Sequence, residues 1–407
     1  MATKIAFLSP TPIYNGDSGW SGIRKDLIIT LNSAKRKKLE VVVFSFGDRN
    51  STISKKFYKE IVFKNNGFIG NKNILVKFAE YLSLLFGYSY TYFERSHSEK
   101  FNDALSSFTP DIIIASYESI DNAVKCRKGL NKNVKIVCLT DDLNQISQYM
   151  NSIKSKVAKN NFIIKTVYNI GLITIGNRFT SFLKGKYETM LECSDCVVLF
   201  TGKGVEISKK AYPRYADRFV SIPPPIITRR LFEKVHVSRK VKKILFLGVC
   251  GYPPNDDAIR KIKTDIAPAL GDMKFILAGR DCKVYKYGNV ESVGFVKNID
   301  QFIRSVDICI APVFYGGGIK TKVLSYFAAG KPVIATSVAL EGFPVKNGFD
   351  AIVVDDIEGY PRAIRDLSEN RKSRRKISEN AIKLASGFSN TKVGIKWLQL
   401  LDKLTNR

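Results

Sequence analysis

Residues 311–336, APVFYGGGIKTKVLSYFAAGKPVIAT, constrain the fold and its use more than any other stretch of the chain. A mostly apolar run, Val306–Val313, leads into three consecutive glycines, Gly316, Gly317 and Gly318. Beyond them Val323, Leu324, Phe327 and Ala328 recur at helical spacing. Gly330 stops that helix, Pro332 keeps it from resuming, and Val333-Ile334 opens another strand. The order is strand, glycine loop, helix, strand: a βαβ unit. A helix entered through glycines keeps its first amides and its positive dipole end open to an anion. Lys320 and Lys322 add two cations at the same place. The pattern points to a ligand that carries phosphate.

The same alternation runs along the whole chain. Strands are expected at Lys4–Ser9, Leu39–Phe46, Asp111–Ser116, Val134–Leu139, Cys196–Thr201 and Phe219–Ile222. A second series follows at Lys243–Gly248, Lys274–Ala278, Ser292–Phe295, Val306–Pro312, Pro332–Ala335 and Ala351–Val354. Helical patterns fill the gaps, and residues 357–405 read as helical throughout. Strands alternating with helices imply parallel sheets covered on both faces. A length of 407 residues exceeds what one core usually serves. The fold expected is therefore α/β with two Rossmann-like domains facing each other across a cleft. Residues 1–222 form the first and 223–390 the second, joined at Pro223-Pro224-Pro225. A C-terminal helix at 391–407 is a candidate to cross back to the first domain.

Composition narrows the partners. A charged content of 25% beside 45% hydrophobic residues excludes a disordered chain. The net charge of +28 is divided evenly between the two halves, so no basic tail accounts for it. An anionic membrane surface is one partner for such a field, nucleic acid another, and a lysine-rich genome a third explanation. No nucleic-acid module accompanies the charge, and no nucleic acid is expected as partner. Arg371–Lys376 reads as a solvated helix face. Two uncharged apolar segments, Tyr81–Phe93 and Thr166–Asn177, fall short of the roughly 20 residues that span a bilayer. Each reads either as a core helix or as an interfacial one. The seven cysteines are odd in number and scattered, and nothing resembling a signal peptide follows Met1. This reads as a reducing cytosol without a disulfide framework, with a peripheral position on the inner face of the membrane as the membrane-linked variant. Cys193-Ser-Asp-Cys196 is a lone CxxC pair in a chain with only two histidines, His97 and His236, so no metal site is expected.

Three stretches in the second half resemble the retaining glycosyltransferases of the GT-B fold, group 1 (glycosyltransferase family 4). Ile244-Leu-Phe-Leu-Gly-Val-Cys-Gly-Tyr-Pro-Pro-Asn-Asp-Asp-Ala is similar to the first strand and loop of that family's donor domain. Tyr315–Thr336 is similar to its glycine loop, helix and following turn. Val338–Phe343 with Asn347–Ala351 is similar to the next loop and strand. Ordered but weaker similarities lie at Gly16–Gly22, Thr140–Leu143 and Tyr187–Thr201.

The resemblance implies sugar transfer from a nucleotide-sugar donor to a hydroxyl acceptor, with retention and without an essential metal or other cofactor. A glycan or lipid-linked acceptor is implied, as in assembly of bacterial surface polysaccharide or glycolipid. It places Gly16, Gly19, Gly248, Arg280, Gly316, Gly317, Gly318, Lys320, Lys322, Ser325 and Glu341 around the donor. Asp141 is the candidate catalytic residue, orienting the acceptor or taking its proton. Asp141 or Asp142 as a helix cap is the competing reading, and for Glu341 it is an ordinary surface loop. Two departures stand out. Many relatives carry a Glu-x7-Glu pair where this chain has Gly317, a change usual for the triple-glycine branch, and Ser325. They also often carry a basic pair after the first donor-domain strand, whereas Val249–Tyr252 has no cation. These departures favour the rival reading, a non-catalytic GT-B subunit that binds a partner glycosyltransferase or a glycan.

Overall fold

A computed structural model gives the fold. It describes residues 2–9, 13, 19–33, 39–47, 51–55, 58–64, 95–116, 119, 123, 130, 133–140, 187–227, 235 and 237–405. Gly16, Asp141 and the segments Tyr81–Phe93 and Thr166–Asn177 lie outside these residues. The chain divides into two compact units. One comprises Met1–Pro225 with Val393–Arg407, the other Ile226–Lys392.

The first unit is built on β1 (Thr3–Ser9), β2 (Leu39–Gly47), β3 (Ser51–Lys55), β4 (Tyr58–Lys64), β5 (Ile112–Ser116), β6 (Lys135–Thr140), β7 (Cys196–Leu199) and β8 (Phe219–Ser221). Their spatial order is β3-β4-β2-β1-β5-β6-β7-β8, parallel except for the β3–β4 hairpin at one edge. Ile5–Leu8, Ile112–Ala115 and Ile136–Leu139 are all buried, as apolar strands must be when helices cover both faces. Among the described residues its helices include α1 (Gly19–Asn32), α2 (Arg95–Phe108) and α3 (Gly202–Ala211). Phe101 of α2 meets Phe44 and Phe63 edge-on, with ring centroids 6.0 and 5.4 Å away. The hairpin escapes a reading of hydrophobic pattern because Ser51–Lys55 has one apolar residue in five.

Glu60 on β4 has no solvent exposure. Its Oε1 accepts hydrogen bonds from the Ile13 amide at 2.8 Å and the Ser45 hydroxyl at 2.7 Å. One carboxylate thereby ties the segment after β1 to β2 and β4.

The second unit contains β9 (Lys243–Leu247), β10 (Lys274–Ala278), β11 (Tyr285–Tyr287), β12 (Val290–Gly294), β13 (Ile308–Ala311), β14 (Val333–Ala335) and β15 (Ile352–Val353). The order is β11-β12-β10-β9-β13-β14-β15, again parallel except at the β11 edge. From β9 the chain winds outward through β10 and β12, then returns to β9's other side with β13. The switch between β9 and β13 is where open α/β sheets place ligands. Around the sheet lie α4 (Pro253–Lys261), α5 (Ile299–Arg304), α6 (Thr321–Ala328), α7 (Gly359–Glu369) and α8 (Arg371–Ser386). A last helix, α9 (Asn390–Thr405), enters the first unit from Val393 onward.

Helix α6 ends as the sequence implies. Gly330 has φ +61°, its amide donates to Phe327 O at 2.9 Å, and the Lys331 amide donates to Tyr326 O at 3.0 Å. This pair of bonds is the Schellman arrangement, which needs a residue free to turn left-handed. A Cβ on Gly330 would also lie 2.8 Å from Ile382 Cδ1.

The basic run Arg371–Lys376 departs from the expectation of a solvated face at one position. Arg374 is buried, and its guanidinium donates to the carbonyls of Leu367, Ser368, Ser238 and Arg239. It satisfies carbonyls at the end of α7 that have no helical partner. The neighbouring basic side chains 371, 372, 375 and 376 are exposed.

Removing the Glu60 carboxylate should strand two buried donors. Glu60→Ala is therefore expected to cost at least about 2 kcal/mol in denaturant unfolding. Glu60→Gln keeps an acceptor oxygen and should recover most of that loss.

Candidate functional site

Four loops in the second unit leave the C-terminal ends of adjacent parallel strands. They follow β9, β10, β13 and β14, and they carry the second-half candidates outside α6. Two of them touch. The Gly248 amide donates to Ala278 O and the Cys250 amide to Arg280 O, each at 3.0 Å, extending the β9–β10 pairing past the strands. A Cβ on Gly279 would stand 1.7 Å from Gly248 O, so the approach requires glycine there. On Gly248 a Cβ would meet Asn255 Cγ at 2.9 Å.

The glycine loop is organised by Lys320. Its ammonium donates to the carbonyls of Gly316, Gly317 and Gly318 at 3.1, 2.8 and 2.8 Å. Gly316 and Gly318 reach this shape with φ of +103° and +72°. In a trans peptide the carbonyl and the following amide point in opposite directions. With three carbonyls turned onto the ammonium, the amides of Gly317, Gly318 and Ile319 are turned away from it. Among the described residues none of these three amides donates to a protein acceptor. Helix α6 starts two residues later, and its first amides to find a helical partner are those of Val323 and Leu324, both on Lys320 O. Loop amides and helix N-terminus together make a concentrated, fixed set of donors for an anion.

Lys322 is placed differently. Its ammonium donates to Asn255 Oδ1 at 2.6 Å and sits 4.2 Å from the Phe246 ring centroid. Asn255 in turn donates through Nδ2 to Val249 O at 2.9 Å, which links α6 to the loop after β9. Burial, and then the neighbouring charge of Lys320, pull the Lys322 ammonium down to about 7. Below α6 the Leu247 amide donates to the buried Tyr326 hydroxyl at 2.7 Å, holding the end of β9 against the helix.

The remaining candidates are dispersed. Arg280 is exposed on the loop after β10, with its Nε 3.6 Å from an Asp281 carboxylate oxygen. Ser325 lies on α6 one turn beyond Lys322, half-buried. Glu341 is half-buried in the turn after β14, its amide donating to Val338 O at 3.4 Å. In the first unit Gly19 opens α1. The structure thus gathers Gly248, Gly316, Gly317, Gly318, Lys320 and Lys322 around Asn255 and the start of α6. Both lysines are engaged with the protein itself, where the sequence had suggested direct contact with a ligand.

Several participants were not singled out from the sequence: Asn255, Tyr326, Gly279 and the pair Cys250–Cys282. The last is a correction. No disulfide was expected, yet Cys250 and Cys282 are bonded, with Cα atoms 5.0 Å apart. Their separation of 32 residues gives no hint of pairing. It arises because β9 and β10 are neighbours with parallel register, which brings their outgoing loops together. Among the described residues no group of three or more His, Cys, Asp or Glu side chains is placed to hold a metal. No described helix is long and apolar enough to cross a membrane.

Residues 241–370 match the sequence model of the family described as Glycosyl transferases group 1. This span contains every second-unit candidate. No curated protein gives a significant sequence match. Solved structures similar over the whole chain include sucrose-phosphate synthase from Thermosynechococcus elongatus, at 15% identity and TM-score 0.71, covering 99% of both chains. The Anabaena protein HepE in complex with UDP-glucose is similar at 14% identity and TM-score 0.62, covering 98% of this chain and 99% of its own. Trehalose-6-phosphate synthase OtsA is similar at 12% identity and TM-score 0.64, over 98% and 99%. The chain therefore has the two-domain α/β fold of these glycosyltransferases.

The depressed Lys322 fixes a pH dependence. With the folded value near 7 and the unfolded value at 10.5, the unfolded chain binds more protons between them. The charge penalty is full below about 7 and fades as pH rises toward 10.5. Lys322→Met should remove it, so the wild type should gain melting temperature relative to the variant from pH 7 to 9.5. A constant difference across that range would show that Lys322 stays charged.

Proposed function

We propose that the protein is a glycosyltransferase that moves a sugar from a nucleotide-sugar donor to a hydroxyl acceptor with retention of configuration. The observation that carries this reading is the set of amides at Gly317, Gly318 and Ile319, aimed away from Lys320 at the N-terminus of α6. They lie inside the span that matches group 1 glycosyltransferases. Breaking the bond between sugar and diphosphate places negative charge on the leaving oxygen. Fixed amides and a helix N-terminus stabilise that charge as it develops, at no cost of reorganisation. Lys320 supports them from behind, and Lys322 adds a cation that a bound diphosphate would recharge. In this reading no essential metal or other cofactor is needed.

The neighbours support the donor class. HepE is described with UDP-glucose, and trehalose-6-phosphate synthase is the subject of work on glycosyl transfer with retention. Asp141 is assigned to the acceptor hydroxyl, Arg280 and Glu341 to the rim of the donor site, and Ser325 to the ribose. Gly16 and Gly19 are assigned to the diphosphate from the first unit. The uniform positive charge supports a lipid-linked or glycan acceptor at the inner face of an anionic membrane, in surface polysaccharide or glycolipid assembly. Retention on anionic vesicles at low salt tests that placement, and its absence removes it.

The rival, a non-catalytic subunit, is favoured by Ser325 standing where relatives have a carboxylate. Calorimetry with UDP, GDP and ADP separates the two. The enzyme reading expects one of them to bind, and Lys320→Ala to weaken that binding by at least about tenfold, roughly 1.4 kcal/mol. No binding of any of the three by the wild-type chain would favour the rival.

A further inference from the structure

The Cys250–Cys282 disulfide lies at the end of the β9–β10 pairing, on the lip of the proposed nucleotide site. The strands need no help from it. Five ladder positions join β9 to β10, and the Gly248 and Cys250 amides continue the pairing into the loops. Its added constraint falls instead on what lies beyond, Gly251–Pro254 and the start of α4. That segment lies beside the glycine loop, since a Cβ on Gly316 would meet Pro254 Cγ at 3.5 Å and the Tyr252 hydroxyl at 3.7 Å. It also leads into Asn255, whose side chain receives the Lys322 ammonium and grips Val249 O.

Neither cysteine of the pair is fully buried. Cys250 and Cys282 are half-buried, whereas Cys138, Cys196 and Cys309 are fully buried thiols. Burial pushes the Cys196 thiol up to about 12 and the Cys309 thiol further, which leaves both unreactive at neutral pH. Of the described cysteines, only Cys193 shares the pair's partial exposure.

We propose that Cys250–Cys282 is a reversible redox clasp that sets nucleotide affinity by fixing the loop after β9 against the glycine loop. The inference rests on the nucleotide-binding reading above. A dithiol reductant supplies the chemistry. Its thiolate attacks one sulfur, the protein S–S bond breaks, and a mixed disulfide forms. The reductant's second thiol then displaces the remaining protein sulfur. Two electrons and two protons end on Cys250 and Cys282, and the reductant leaves as its own disulfide. Reduction frees the loop, so Asn255 no longer holds Lys322 in one place and the anion site loses part of its preorganisation.

The test uses the full chain, air-oxidised and after dithiothreitol, with reductant removed. A native thiol count should rise by two on reduction, and hydrogen exchange of the amides at 248–252 and 255 should quicken without any nucleotide present. The nucleoside diphosphate that binds best should bind the reduced form at least about fivefold more weakly. Cys250→Ser with Cys282→Ser should match the reduced form and ignore dithiothreitol. An unchanged thiol count, unchanged exchange in the loop, or equal affinity of the two forms would overturn the clasp. Absence of nucleotide binding in both forms, with the loop exchange still redox-dependent, would overturn the donor-binding reading and with it the clasp's effect on affinity, leaving only a redox-dependent loop.

Discussion

Three carbonyls converging on one ammonium set the shape of the glycine loop in the second unit. Lys320 gathers the oxygens of Gly316, Gly317 and Gly318, and trans peptide geometry sends the following amides the other way. A cation that faced the ligand directly would attract an anion but leave the loop to arrange itself. A cation behind the loop fixes the amides before any ligand arrives, which is the condition for electrostatic stabilisation without reorganisation. The glycines are required for the same reason: Gly316 and Gly318 hold φ values that a side chain would strain.

The surrounding contacts keep that loop in register with the sheet. Tyr326 accepts the Leu247 amide, Asn255 joins Lys322 to Val249, and Gly279 lets the β10 loop press on Gly248. Helix α6 also buries Val323, Leu324, Tyr326 and Phe327, so its position is set by core packing. The candidate site is thereby mounted on strand ends and a packed helix of the second unit.

Much of the architecture was legible in the chain because parallel strands buried on both faces write themselves as apolar runs. Ile112–Ser116, Lys135–Thr140 and Lys243–Leu247 were visible for that reason, and Gly330 marked the end of α6. The β3–β4 hairpin was not, since an edge strand such as Ser51–Lys55 needs no apolar pattern. At the site, the glycines and lysines were found by type and spacing, but their direction was not. Whether a lysine faces a ligand or a carbonyl depends on loop dihedrals that composition does not encode. Cys250–Cys282 and Asn255–Lys322 were hidden for a related reason: both join segments far apart in sequence that only sheet order makes adjacent.

The central claim is that Lys320 orients the amides which hold the diphosphate. Hydrogen exchange with and without a saturating nucleoside diphosphate tests it most directly, comparing wild type with Lys320→Ala. The account predicts ligand protection of the amides from Gly317 to Lys322 in the wild type, and faster exchange of those amides without ligand in the variant. Binding that leaves 317–322 unprotected, or a variant whose loop exchanges as slowly as the wild type's, would contradict it.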